Sequence, residues 1–192
     1  MVEKEEKEVP VFIEGKEICF AVQDSDNINL YAKWMNNPKV RVFARWETPI
    51  RVEDMKKWFE PQEGRVPNFV VFEIWHKKDK KPIGQCGLGW INWVSGWANA
   101  FLYIGEPEYW GKNIATEATE MLIEYAFNEL NLNKLHGGAA VENIGSWSVA
   151  EKVGFKFEGI QKNDMYVNGK YHDGKTYRIL KEDWMNKKNK KD

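Results

Sequence analysis

Apolar and polar residues along the chain change period several times, and each change marks an element. Glu17-Ile18-Cys19-Phe20-Ala21-Val22 is a compact apolar run that reads as a first strand. "SDNINLYAKWMNNP" shifts to helical spacing: Ile28, Leu30, Tyr31 and Trp34 give the apolar face, Asp24, Ser25 or Asp26 supplies a cap, and Pro38 ends the element. "TPIRVEDMKKWFEP" repeats that grammar, with Thr48 and Pro49 at the entry and Pro61 at the exit. "NFVVFEIW" predicts a strand, "KKDKKP" a charged hairpin turn, and "IGQCGLGWINWV" a glycine-punctuated strand. Ser95-Gly96 turns the chain into the strand "WANAFLYI".

From Ala115 onward, Ala118, Met121, Leu122, Tyr125, Ala126 and Leu130 recur at helical spacing. "KLHGGAAV" predicts a short buried strand, and "NIGSWSVAEKV" a helix stopped by Gly154, which has no Cβ to hinder a left-handed cap. Two final strands meet around Asn168-Gly169, a strong hairpin signal. The order β-α-α-β-β-β-α-β-α-β-β predicts an α+β domain on one mixed, mostly antiparallel sheet flanked by helices. A single domain over 11–184 is expected, with a charged flexible tail at 1–10 and a Lys-rich one at 185–192.

Composition narrows the function classes. Twenty-eight basic residues face 29 acidic ones, so a nucleic-acid partner is not expected. No apolar run approaches the roughly 20 residues that span a bilayer, and the first eight residues are the opposite of a signal peptide. Cys19 and Cys86 have neither metal-site spacing nor the density of a disulfide scaffold, which points to a reducing, cytoplasmic setting and no metal. Ten tryptophans are many; Trp75, Trp90, Trp93, Trp97 and Trp110 crowd one third of the chain, as core, as a subunit contact compatible with a homodimer, or as a ligand groove.

Candidate chemistry centres on "PEYWGKNIATE", where a turn becomes a helix through small residues. The first N–H groups of a helix lack intrahelical partners and its dipole favours negative charge, so this junction suits an anion. A Walker-type loop fails, because Gly111-Lys112 is followed by Asn113, and the dinucleotide fingerprint fails at Asn92.

The order strand, "PEYWGKNIATEA", long helix, short strand, "NIGS", helix, "GFKFEG" resembles the GCN5-related N-acetyltransferase (GNAT) superfamily over roughly residues 17–182. "ATEA", "VGFKFEG" and "YVNGKYHD" are similar to the RimJ/RimL type of ribosomal-protein N-acetyltransferases and their polyamine-acetylating relatives. The resemblance implies a GNAT fold splayed between the fourth and fifth predicted strands, with acetyl-coenzyme A as co-substrate. The family loop Q/R-x-x-G-x-G/A maps to Trp110, Gly111, Lys112, Asn113, Ile114 and Ala115, and the N–H groups of Gly111 through Thr116 are expected to hold the pyrophosphate. Trp110 replaces the usual Gln/Arg and Asn113 replaces a glycine; asparagine tolerates positive φ better than other non-glycine residues, so the loop is expected to form.

The same resemblance lays the pantetheine arm along Ala98–Gly105, with backbone groups near Tyr103, Ile104 and Gly105 as its partners. Asn143 matches an asparagine that touches the pantetheine, or it caps the following helix. The tyrosine that many relatives use as general acid is Ala150 here; the resemblance to the RimJ/RimL type, which carries at position 146 a serine able to meet the sulfur, implies Ser146 as the candidate acid. By the same resemblance Trp90, Trp93 and the segment 41–48, "RVFARWET" with Trp46, stand where the acceptor groove is built, and Glu73 is a further candidate acceptor-site residue; Glu73, Glu106, Asp164 and His172 are candidate bases. Deprotonating an alkyl amine of pKa about 10.4 at pH 7 costs roughly 4.6 kcal/mol, against about 1 kcal/mol for an α-amino group near 7.8. The thin base inventory therefore leans toward a protein N-terminus over a polyamine or aminoglycoside acceptor. A non-catalytic coenzyme-A-binding module is the third alternative. Glu117, in the first turn of the long helix, is assigned to structure.

Overall fold

The computed structural model describes residues 9–42, 44, 46, 48–60 and 66–189. Nearly all of the expected N-terminal tail, Pro61, and the last three residues lie outside that set. In chain order the elements are β1 (Val11–Glu14), β2 (Ile18–Val22), α1 (Ile28–Asn36), α2 (Pro38–Arg41), α3 (Val52–Lys56), β3 (Val70–His76), β4 (Lys81–Asn92) and β5 (Trp97–Ile104). They continue with α4 (Ile114–Asn128), β6 (Lys134–Ala140), α5 (Ile144–Val153), β7 (Lys156–Val167), β8 (Lys170–Leu180) and α6 (Lys181–Lys188). The eight strands form one sheet in the order β1-β2-β3-β4-β5-β6-β8-β7.

Every neighbouring pair is antiparallel except β5–β6. That parallel pair is registered only through Trp97↔Lys134, Ala98↔Leu135 and Asn99↔His136. Beyond Asn99 the strands part while β5 stays paired with β4 as far as Ile104. The expected splay between the fourth and fifth predicted strands is this divergence, the numbers being raised by one because β1 precedes them. β1 escapes a sequence reading because it is short, follows charged residues and leaves Val11 and Phe12 exposed at the sheet edge.

Residues opposite one another share a face of the sheet. Phe72, Ile74, Cys86 and Leu88 pack against α4 through Ala118, Leu122 and Ala126. The other face carries α1 and α3, where Tyr31, Trp34 and Met55 are buried and Tyr103 joins from the sheet. Pro38 does stop α1, and it also starts α2 as its first residue, with Asn37 accepting from the Lys39 N–H at 3.0 Å. Proline is tolerated there because the first helical N–H has no intrahelical partner to lose.

Asn168 and Gly169 take φ +50° and +79°, the paired positive values of a tight hairpin turn. Gly154 closes α5 at φ +114°. α6 runs to Lys188, past the boundary expected at 184. Glu182 and Asp183 in its first turn and Lys187 and Lys188 in its last suit the helix dipole, and Trp184 packs on Phe127 with ring centroids 5.6 Å apart.

Candidate active site

Parallel strands that separate leave backbone groups without a neighbour, so the split is the place to look for a ligand. The Gly105 N–H donates to the Ile83 carbonyl at 2.8 Å, across to the β4 side. By antiparallel alternation the N–H groups of Leu102 and Ile104 then turn toward the split. Of the three expected backbone partners, Ile104 therefore faces the gap, whereas Gly105 is committed to β4 and Tyr103 shares that orientation. Gly105 is glycine for another reason: a Cβ there would lie 2.2 Å from the Trp34 ring.

Both helices after the split begin at the carboxyl ends of its strands, α4 after β5 and α5 after β6. Between β5 and α4 the chain makes a single turn of 3₁₀ helix at Pro107–Tyr109 and enters α4 through Gly111 at φ +73° and Asn113 at φ +60°. Asn113 adopts the left-handed conformation expected of it. A Cβ at Gly111 would meet nothing within 4 Å, so backbone conformation, not space, selects glycine there. Among the described residues, no protein acceptor takes the N–H groups of Gly111 to Thr116. Ile114 and Ala118 are buried beneath this turn and hold it against the core.

Two side chains fix the junction. The Trp110 indole donates to the Ile104 carbonyl at 3.0 Å, tying the loop to the end of β5. Lys152, from the last turn of α5, donates to Asn113 Oδ1 at 3.0 Å. Lys112 instead lies over the Tyr109 ring, 5.2 Å from its centroid. Glu117 accepts from the N–H groups of Lys16 and Glu17 at 2.6 and 2.9 Å, so the first turn of α4 also pins the β1–β2 turn. Unpartnered amides, alternating positive φ and a nearby ammonium are the features of an anion cradle, and they fit a diphosphate.

At the start of α5, Asn143 Oδ1 accepts from the Ser146 N–H at 3.2 Å, so Asn143 is a helix cap. Ser146 occupies the first turn and is exposed.

A cleft of about 240 Å³ lies between the end of α2 and the β7–β8 hairpin. Arg41, Val42 and Trp46 line one side and Met165 to Asn168 the other. The Trp46 ring stands edge-on to Tyr103, centroids 4.7 Å apart, so the cleft rests on β5 beside the split. Beneath it a polar row crosses the sheet in register: Glu73 on β3, Gln85 on β4 and Tyr103 on β5. Tyr103 donates its hydroxyl to Gln85 Oε1, and Glu73 accepts from Tyr31 and, at 2.7 Å, from Asn27. Burial pushes the Glu73 carboxyl up, opposed by the hydrogen bonds from Tyr31 and Asn27. Glu73 is only 1% exposed and is not among the residues that line the cleft.

The other candidates stand elsewhere. Trp90 adopts φ +48° in a bulge and packs edge-on against Phe69, while Trp93 donates to the Pro67 carbonyl at 2.9 Å; neither lines the cleft. Glu106 accepts from Trp34 Nε1 at 2.9 Å. Both His172 nitrogens are engaged, with Glu142 at 2.7 Å and with the Val167 carbonyl at 3.3 Å. Asp164 sits against Gly174, where a Cβ would come within 2.6 Å of its carboxylate. None of the described residues lining the cleft is a carboxylate or an imidazole. Of the segment 41–48 expected to wall the acceptor groove, Arg41, Val42 and Trp46 line this cleft, whereas no local signal marks Lys152. Asn168-Gly169 locates the hairpin, but that the hairpin faces Trp46 is tertiary information.

Among the described residues, no His/Cys/Asp/Glu group suits a metal and no helix is long and apolar enough to cross a membrane. Cys19 and Cys86 are buried free thiols.

YdaF of Bacillus subtilis (strain 168), by name a candidate ribosomal N-acetyltransferase, is 46% identical over 81 residues, 42% of this chain and 44% of YdaF. The chain therefore spans less than half the length of that relative. Spermidine N(1)-acetyltransferase of Vibrio cholerae serotype O1 is 29% identical over 177 residues, 91% of this chain and 94% of that protein. The crystal structure of spermidine N-acetyltransferase from Vibrio cholerae in complex with CoA and spermine superposes with a TM-score of 0.81 at 23% identity, over 89% of this chain and 99% of that one, and shares the fold. The model of the acetyltransferase (GNAT) domain family matches residues 20–156. Matched over most of its length and split between β5 and β6 as that fold requires, the chain belongs to the GNAT acetyltransferase family.

Proposed function

We propose that the protein transfers an acetyl group from acetyl-coenzyme A to a primary amine by direct attack of the amine on the thioester. The reading is carried by one observation: the unpartnered N–H groups of Gly111 to Thr116 stand where β5 leaves β6. The coenzyme's diphosphate would sit on those amides and its pantetheine arm would run beside Leu102 and Ile104. The acetyl group would then lie between the split and the cleft at Trp46. A backbone donor aimed at oxygen charge that develops during attack is worth roughly 3 kcal/mol. Ser146, exposed at the start of α5, is the group proposed to protonate the departing thiolate, its own proton being replaced by the one that the acylated nitrogen sheds.

The acceptor best suited to the cleft is an α-amino group at a peptide N-terminus. Arg41 lines it and no carboxylate does among the described residues, so a polycation gains no charge partner from that lining. An α-amino group also demands little of a base, as the cost of about 1 kcal/mol at pH 7 indicates. A polyamine acceptor is the second reading, favoured by the near full-length likeness to a spermidine N(1)-acetyltransferase.

Calorimetry with acetyl-coenzyme A, using Asn113→Pro as control, tests the loop: proline cannot take φ +60°, so affinity should collapse, and unchanged affinity refutes the assignment. Thiol release with a peptide bearing a free N-terminus, its α-acetylated counterpart and spermidine then ranks the acceptors. A higher kcat/KM for spermidine than for the free peptide selects the second reading. Thiol release at the uncatalysed rate with every amine removes the enzymatic one.

A further inference from the structure

We propose that Lys152 is a binding residue for the coenzyme's diphosphate, reaching from α5 to neutralise the anion that α4 holds by its backbone. The inference rests on the reading of the Gly111–Thr116 loop given above and adds a side chain that lies outside that loop. Its grounds are the partners of the cations in this region. Lys77 rests on Glu14, Lys156 on Asp183 and Lys188 on Glu124, each within 3 Å of a carboxylate. Lys112 is held over an aromatic ring. Lys152 has no such carboxylate: its ammonium meets the neutral side-chain oxygen of Asn113, as that of Lys181 meets Asn131, and among the described residues it forms no ion pair; the place of that ammonium at the start of α4 is what sets it apart.

The geometry gives that uncompensated charge a use. Asn113 is the residue immediately before α4, so an ammonium 3.0 Å from its Oδ1 stands beside the open amides of the first turn. Its other end is anchored: Lys187 donates to the Lys152 carbonyl at 3.0 Å, closing the last turn of α5 and fixing the base of the side chain. Position 110, where a cationic or amide side chain could have met the diphosphate, is tryptophan with its indole turned to the Ile104 carbonyl. Backbone amides alone leave two negative charges poorly balanced. A lysine that exchanges a neutral amide oxygen for a phosphate oxygen trades an ion–dipole hydrogen bond for one between opposite full charges.

The alternative is that Lys152 only steadies Asn113 in its left-handed conformation, and a double-mutant cycle separates the two. Asn113→Gly removes the Oδ1 partner while keeping a residue that adopts φ +60° without strain. Acetyl-coenzyme A is titrated by calorimetry into wild type, Lys152→Met, Asn113→Gly and the double variant, at low and at moderate salt. Lys152→Met should weaken binding about tenfold in both backgrounds and flatten the salt dependence, as loss of one charge-assisted contact requires. Lys152→Arg should recover most of the affinity. A tenfold loss in the wild-type background that vanishes beside Asn113→Gly overturns the proposal and leaves Lys152 a loop brace. No loss in either background overturns it as well, while the loop reading stands if wild type binds. Absence of wild-type binding overturns both.

Discussion

Replacing Gly105 by alanine is the most demanding test of how α1 is seated on the sheet. The new Cβ would lie 2.2 Å from Cγ and Cδ2 of Trp34, against an ordinary carbon contact of roughly 3.5–4.0 Å. The indole would therefore have to retreat by roughly 1.5 Å. Trp34 is fully buried, and its Nε1 donates to Glu106 at 2.9 Å, so a retreat of that size breaks the hydrogen bond. Overpacking costs about 1–3 kcal/mol and a lost hydrogen bond to a charged group about 1.5–3 kcal/mol. Allowing for partial relaxation, the variant should lose about 3 kcal/mol, which lowers Tm by about 6–12 °C in a domain of this size. Urea unfolding followed by tryptophan fluorescence, with calorimetric Tm in parallel, measures it. The decisive arm repeats the substitution in a Trp34→Ala background, where the clash is gone and the cost should fall below about 0.5 kcal/mol. Equal costs in the two backgrounds, or a cost under about 0.5 kcal/mol in the wild type, would refute the steric reasoning.

Gly111→Ala adds a methyl group that touches nothing but must sit at φ +73°, so stability should fall by about 1 kcal/mol and acetyl-coenzyme A should bind several-fold more weakly; calorimetry showing unchanged affinity would contradict a preformed cradle. Glu117→Ala should cost about 1 kcal/mol and raise amide exchange at Lys16 and Glu17, with Glu117→Gln intermediate because it keeps an oxygen acceptor. Glu142 raises the His172 pKa, and His172 lowers that of Glu142. The histidine's contribution is fully present below its unfolded value of about 6.5 and fades as pH rises through the raised folded value; the carboxylate's is present above about 4.3 and fades as pH falls. The Tm difference between wild type and His172→Gln should therefore be largest near pH 5.5 and shrink toward pH 8.5, and a difference independent of pH would exclude the pairing. Trp46→Ala should raise KM for the acceptor amine and leave the Kd of acetyl-coenzyme A unchanged; a parallel loss of both would place Trp46 in the coenzyme site.

Much of this architecture is legible in local sequence because its determinants are local. "WANAFLYI" coincides with β5, bounded by Gly96 at φ +65° on one side and Gly105 on the other. Asn168-Gly169 specifies its turn through the positive φ that both residues accept, and Asn143 and Gly154 mark the two ends of α5. What stays hidden depends on partners distant in the chain. Nothing within Trp97–Ile104 says that its pairing with β6 stops at Asn99. Lys152 and Asn113 meet across 39 positions. Trp90 and Trp93 have the composition of a groove wall, yet the bulge at the end of β4 directs them onto Phe69 and Pro67. Pro38 is a stop signal by residue type and a start signal by position, and only the cap supplied by Asn37 decides that it is both.

The short register between β5 and β6 also bears on how the protein comes apart. Three residue pairs join the sheet of β1–β5 to that of β6–β8, and the latter is a continuous stretch of chain, 134–180. Leu135, Val153, Phe155 and Tyr177 tie that stretch to the common core, so the backbone seam is its weaker join and the place where it would open below the free energy of global unfolding. Amide exchange should accordingly divide the molecule into two protection classes at this seam. A molecule bound in the seam contacts both units, so by mass action it raises the free energy of that opening and brings the two classes together.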